Sequence, residues 1–146
     1  MPIKNILVAA DDSPDSRKAA KFAFELARVL HARIGLVSVV NKGRELVNPD
    51  LGVSFEEKRA ALYQNAQTVI NQCIGLYGDG IAVIPFAPEG SPGKEILKLA
   101  AEWPADLIVL GTHLHGKIEL LLQGSLTEYL IRHAVVPVIV APPGMR

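Results

Sequence analysis

The sequence predicts an α/β protein in which a five-stranded parallel sheet carries helices on both faces. Short apolar runs alternate with amphipathic segments along the chain in the order β-α-β-α-β-α-β-α-β, the pattern of parallel strands joined by crossover helices. The runs are apolar at consecutive positions, as in ILVAA and LIVL. That continuity marks strands buried on both faces. A Ser-Pro pair stands ahead of two of the amphipathic segments, with Ser suited to the N-cap and Pro to the first helical position.

The elements follow in order. Ile3 to Ala10 is the first strand, bounded by Asp11-Asp12-Ser13-Pro14. Pro14 to His31 is the first helix, because Ala19, Ala20, Ala23, Phe24, Ala27 and Leu30 recur at helical spacing. Ile34 to Val40 is the second strand. Asn41 to Ser54 has no period and carries Asn, Gly, Pro and Asp, so it is a loop. Phe55 to Tyr77 is the second helix, with Ala61, Leu62, Ala66, Val69, Ile70, Cys73 and Leu76 near one face, and Gly78-Asp79-Gly80 ends it. Ile81 to Phe86 is the third strand. Gly90-Ser91-Pro92 opens a third helix that runs to about Glu102. Leu107 to Leu110 is the fourth strand, Ser125 to about His133 the fourth helix, and Val136 to Val140 the fifth strand, stopped by Pro142-Pro143.

At 146 residues the chain fits one domain, 1–146. Fifteen basic and fifteen acidic residues cancel, so no nucleic-acid partner is implied. The single cysteine, Cys73, rules out an internal disulfide and any multi-cysteine metal site; in a helical pattern it reads as a small core residue. No run approaches the ~20 apolar residues of a membrane span, and the opening apolar run is short and broken by Asp11-Asp12. The expectation is a cytoplasmic protein with no membrane partner.

The chemistry concentrates between Asp106 and Val140. A strand breaks at Gly111, a loop rich in Gly, His and Lys follows, and Gly124-Ser125 opens a helix. Unsatisfied N–H groups at a helix start, with the helix dipole, suit an anion there. His113, His115 and Lys117 add donors. A bland account also exists: Ser125 and Glu128 form a capping box that explains both residues without a ligand. At the end of the first strand, Asp11 is either the acceptor for a base or sugar edge or a turn residue ahead of the helix. His113 and His115 lack the partners a metal site needs. No GxSxG elbow occurs, so no catalytic residue is assigned. The opening KNILVAADDSPDSR is similar to a response-regulator receiver domain, but DLIVLG carries Gly111 where a receiver needs its phosphoacceptor aspartate.

Taken together these residues resemble the universal stress protein family, from ILVAADDSPDSRKA at the start to RHAVVPVIVAP at the end. The family's nucleotide signature is Gly, two residues, Gly, nine residues, then Gly-Ser or Gly-Thr. Gly111 fits its first position and Gly124-Ser125 its last. Leu114 stands at the middle glycine, and Gly116 follows two residues on. The resemblance implies a Rossmann-like sheet of order 3-2-1-4-5, with strands 1 and 4 central and a crevice between Asp11 and the Gly111 loop. It implies an adenine nucleotide, ATP or AMP, with Mg2+ accompanying ATP. The base would lie near Asp11 and Val39 and the phosphates over Gly111, Gly124 and Ser125, with Ala9, Ala10, Leu110, His113, Leu114, Gly116 and Leu126 completing the nucleotide site. If position 114 requires a positive φ, Leu costs roughly 1–2 kcal/mol more than Gly, which points to weaker or AMP-like binding. The function implied is a nucleotide-binding, non-enzymatic stress-response regulator with a protein partner of unknown identity. The alternative is a dimeric scaffold with a vestigial pocket. A homodimer through Val136 to Val140 is expected, since this apolar strand falls at a sheet edge.

Overall fold

The computed structural model describes residues 2–41, 55–112 and 126–146. Five strands form one parallel sheet: β1 (Asn5–Ala9), β2 (Arg33–Val37), β3 (Val83–Phe86), β4 (Leu107–Gly111) and β5 (Val138–Ala141). Among the described residues four helices connect them: α1 (Pro14–Leu30), α2 (Phe55–Tyr77), α3 (Pro92–Glu102) and α4 (Leu126–His133). The strand order is β3-β2-β1-β4-β5, as expected, and every pairing is parallel. This is the Rossmann-like α/β fold.

The two faces of the sheet have separate cores. Ile6, Val8, Ile34, Leu36 and Val109 point to one face and meet Ala19, Ala20, Ala23, Phe24 and Ala27 of α1 and Ala66, Val69, Ile70 and Cys73 of α2. Leu7, Ala9, Val37, Ile108 and Leu110 point to the other and meet Ile96 of α3 and Leu130 of α4. The pleat sends successive residues of β1 to opposite cores, so the strand is apolar from Ile6 to Ala9. Full burial of one such side chain is worth roughly 1.5–3 kcal/mol. The alanine stripe of α1 lets its backbone lie close to β4. In this core, burial pushes the Cys73 thiol up from its ordinary pKa, partly offset by the nearby Arg17 charge.

Several boundaries differ from the sequence reading. Ser13 caps α1 as expected, accepting the Ser16 N–H, and Pro14 sits at the first position. The helix stops at Leu30, because His31 adopts the left-handed conformation (φ 55°) and its N–H closes on Ala27 O. Ser91 has the extended cap conformation ahead of Pro92 but makes no side-chain cap bond. β3 begins at Val83, since Ile81 is drawn into a turn by its N–H to Gly78 O. β4 extends one residue, to Gly111, which pairs with Ala141. β5 begins at Val138, not Val136, and runs to Ala141. On α2, Leu76 is 63% exposed and Ala61 is exposed. The helix packs on α1 from Ala66 to its end, where the Tyr77 ring lies 6.1 Å from that of Phe24; Leu76 lies on the opposite, outer face. The loop predicted at Asn41 to Ser54 lies outside the described residues from position 42 onward.

The amino ends of the strands are tied by a polar clamp. Asp106 Oδ2 accepts the N–H groups of Lys4 and Asn5, each at 2.9 Å, and Asn5 Oδ1 accepts Arg33 Nε and Nη2. Arg33 also stacks 5.6 Å over the Trp103 ring. A β-carbon at Gly35 would lie 2.8 Å from that ring, so glycine is what lets Trp103 lie flat on β2. Trp103 Nε1 is buried and finds no acceptor among the described residues.

The sheet's two edges differ. Ser38 N–H donates to Phe86 O and Ile34 N–H to Ala82 O, so the even residues of β3 face β2 and Val83, Pro85 and Ala87 face outward. Pro85 leaves that edge without a donor at its centre. At the other edge Ile108 N–H donates to Pro137 O at 3.0 Å. Pro137, Ile139 and Ala141 therefore face β4, while Val138 and Val140 present N–H and C=O outward. Pro137 does not protect this edge; its missing N–H lies on the β4 side.

Candidate functional site

The site is built at the carboxyl ends of the central strands, where open α/β sheets place ligands. β1 leaves the sheet after Ala10, whose N–H still donates to Val37 O at 2.9 Å. The next N–H, that of Asp11, turns instead to Ser16 Oγ of α1 at 2.8 Å. Asp11 is 9% exposed, and its Oδ1 accepts both Ser13 N–H (2.9 Å) and Ser13 Oγ–H (2.6 Å). The DDSP turn is thus a closed hydrogen-bonded unit that fixes a carboxylate at the mouth of the sheet.

Beside it lies a small recess of about 20 Å³, lined by Ala9, Ala10, Asp11, Val37, Val39, Pro92, Ile96 and Leu126. Asp11 is the one polar residue among these. Two helices begin at this recess, α3 with Pro92 and α4 with Leu126, and both point their amino ends toward it. The structure therefore brings together five of the residues singled out in the sequence: Ala9, Ala10, Asp11, Val39 and Leu126. Leu110 is wholly buried in the core beneath α3 and α4 and does not line the recess. His113, Leu114, Gly116, Gly124 and Ser125 lie outside the described residues.

Gly111 has a role the sequence did not reveal. It is the last residue of β4, not a loop glycine, and a β-carbon there would stand 2.7 Å from Asp15 O and 3.0 Å from Ser16 N. Glycine is needed because the first turn of α1 crosses the strand at that point. Thr112, the next residue, donates its hydroxyl to Ala141 O at 2.6 Å, tying the end of β4 to β5. The Glu128 carboxylate, expected to serve the cap, pairs with Arg132 at 2.8 Å one turn on.

Val37, Pro92 and Ile96 were missed as lining residues. Pro92 and Ile96 are four apart on α3 and share a face, but only the fold shows that this face reaches the end of β1. Gly93 could have signalled it: a β-carbon there would stand 2.6 Å from the Tyr129 ring of α4, so the two helices touch at their first turns.

One wall of the recess is anchored from outside. Residues 88–90 extend the β2 ladder through Val40 N–H to Pro88 O (2.7 Å) and Gly90 N–H to Val40 O (3.0 Å). Glu89 in this stretch accepts Arg59 Nη2 at 2.7 Å and Nε at 3.1 Å, and also the Tyr63 hydroxyl. Its hydrogen bond raises the Tyr63 pKa above the ordinary value, with burial and the Glu89 charge acting in the same direction. The Arg59 guanidinium lies 5.6 Å over the Tyr63 ring. Among the described residues no group of three His, Cys, Asp or Glu side chains could hold a metal ion, and no helix is long and apolar enough to cross a membrane.

Comparison with known proteins matches the geometry. The profile described as "Universal stress protein family" covers residues 2–142. Universal stress protein MJ0531 of Methanocaldococcus jannaschii is 31% identical over 142 residues, spanning 94% of this chain and 81% of that protein. Among solved structures, the universal stress protein UspA from Lactobacillus plantarum superposes with a TM-score of 0.81 at 25% identity, covering 97% of this chain and 99% of that one. A universal stress protein from Archaeoglobus fulgidus, solved in complex with dAMP, shares the fold with a TM-score of 0.68 at 22% identity, covering 96% and 98% of the two chains.

Proposed function

The chain belongs to the universal stress protein family, and from that premise we propose that it is a stress-response regulator that binds an adenine nucleotide of the AMP class. The base lies against the recess near Asp11 and Val39, and the phosphate near the segment between β4 and α4 that carries Gly124-Ser125. The observation that carries this reading is the small apolar recess at the carboxyl ends of β1 and β2, with buried Asp11 on its wall and the first residues of two helices beside it. A protein of the same fold holding dAMP supports it. Any Mg2+ would arrive with a triphosphate. The activity is binding rather than turnover.

The test is mass spectrometry of ligand released from freshly purified, denatured protein, followed by calorimetry with AMP, ATP and cyclic AMP. Recovery of a nucleotide, or a dissociation constant at or below about 100 μM for AMP, about −5.5 kcal/mol, supports the reading. No recovered ligand and no heat with any of the three would replace it by the scaffold reading, which Leu114 at the middle glycine of the motif favours.

We further propose that the protein pairs with a second copy through β5. Its outward row, Val138 and Val140, offers donors and acceptors without interruption, whereas Pro85 breaks the row on β3. An edge that pairs with itself about a two-fold axis makes the commonest closed assembly.

A further inference from the structure

Ser16 is a fully buried polar side chain on α1, and it stands between the two halves of the candidate site. Its Oγ accepts the Asp11 N–H at 2.8 Å. Its own N–H donates to Ser13 Oγ at 3.2 Å, and Ser13 in turn donates twice to Asp11 Oδ1. Asp11 is therefore held at its main chain by Ser16 and at its carboxylate by Ser13, both from one helical turn. That same turn abuts the end of β4, where Ser16 N lies 3.0 Å from the β-carbon position of Gly111. The Asp11 N–H is the first of β1 that the sheet does not use, since Ala10 N–H still pairs with Val37 O. Without the Ser16 hydroxyl, a buried N–H loses its acceptor and the peptide carrying the carboxylate loses its anchor.

Resting on the adenine-nucleotide reading, we propose that Ser16 is a positioning residue: through Asp11 it sets the aim of the carboxylate into the recess, and so selects a base that offers an exocyclic amino donor over one that offers a carbonyl at the same place. A carboxylate held at a fixed point rewards a donor and repels a carbonyl oxygen. One that swings with its turn discriminates poorly. Ser16 itself does not touch the ligand.

The experiment compares AMP with IMP, in which a carbonyl replaces the exocyclic amino group and N1 carries a proton, by calorimetry on the full chain. The set is wild type, Ser16→Ala, Asp11→Asn and the double variant. Wild type prefers AMP by about tenfold or more, as a site built to meet a polar group does. In Ser16→Ala the preference falls to within about threefold, mainly through weaker AMP binding, and adding Ser16→Ala to Asp11→Asn changes the ratio no further, the non-additivity of residues that act as one. A purely structural role for Ser16 would weaken both nucleotides equally and leave the ratio as it was; that result overturns the proposal, as does full additivity in the double variant. If Ser16→Ala does not fold, Ser16→Cys, which keeps a weak acceptor at similar volume, gives an intermediate ratio, and a wild-type ratio there is equally fatal. Wild type that binds neither nucleotide removes the adenine reading itself; wild type that prefers AMP while Ser16→Ala keeps the preference removes only the role of Ser16.

Discussion

The carbonyl oxygen of Asp15 lies 2.7 Å from the point a β-carbon on Gly111 would occupy. The contacting atoms on α1 are all main chain, so no side-chain rotation relieves the clash. The start of α1, which carries Asp11's anchors, would have to move. Gly111→Ala is expected to destabilise the fold by about 1–3 kcal/mol, the usual cost of overpacking a closed site. It should also weaken AMP binding more than a distant substitution of equal stability cost. Urea unfolding and calorimetry on the same samples test both; wild-type stability would show that α1 yields freely.

The segment between β4 and α4 supplies a second prediction. Gly124→Val should weaken AMP binding about tenfold or more while the fold persists, because a branched side chain blocks backbone approach to an anion at a helix start. Leu114→Gly should strengthen ATP binding more than AMP binding, since the motif glycine it restores lies on the phosphate side. Equal gains for both ligands would mean that Leu114 is not the obstacle to the outer phosphates.

At the β5 edge, wild type is expected to sediment as a dimer at micromolar concentration. Val138→Pro should shift it to monomer with little loss of stability, because the N–H it removes points away from β4. Ile139→Lys, an obvious choice from sequence, is the poorer probe. Ile139 packs against the α1 core and faces β4, so a charge there damages the fold itself. Wild type that sediments as a monomer across the micromolar range would leave β5 as an ordinary edge.

Alkaline titration reports on the Glu89 cluster. The hydrogen bond to Glu89 raises the Tyr63 pKa above its ordinary 10.0, so one of the three tyrosines should ionise late in an ultraviolet titration. Glu89→Gln should abolish the lag. A folded-state pKa above the unfolded value gives stability that is fully present below about pH 10 and is lost as pH rises through the raised value. The stability difference between wild type and Glu89→Gln should therefore shrink above that pH. Three tyrosines titrating together in wild type would refute the coupling.

The fold was legible where one physical signal dominated. Ile6 to Ala9 of β1 and all of β4 are buried on both faces and so read as apolar runs; α1 carries its cap, its proline and an alanine stripe in sequence. Legibility failed where a residue's reason lies in a distant element. Gly111 reads as a flexible loop glycine until α1 is seen crossing it. Leu76 reads as core because its spacing is close to right, yet at the end of α2 it is Ile74 and Tyr77 that meet α1, and Leu76 faces outward. Pro92 and Ile96 read as an ordinary helix start, because sequence does not say which strand end that helix overhangs. Ser16, a serine inside a helix, gives no sign that its hydroxyl serves the backbone of another element. Of the residues that line the candidate recess, Asp11 and Val39 were readable because both lie just beyond strand ends.

The unequal edges of the sheet bear on how far assembly can go. If β5 pairs with its own copy, the joined sheet presents β3 at both margins, and at each margin Pro85 interrupts the row of donors. Neither margin offers a template on which another strand could dock in register. Association is then self-limiting: two chains consume the one competent edge each possesses, and no end remains from which a filament could grow. A single proline at one side of the sheet would thus protect the protein from fibre formation at the high concentrations a stressed cell can reach, while leaving the opposite side free to pair. Pro85→Val, by restoring the missing donor, should reveal the hazard as concentration-dependent growth beyond the dimer.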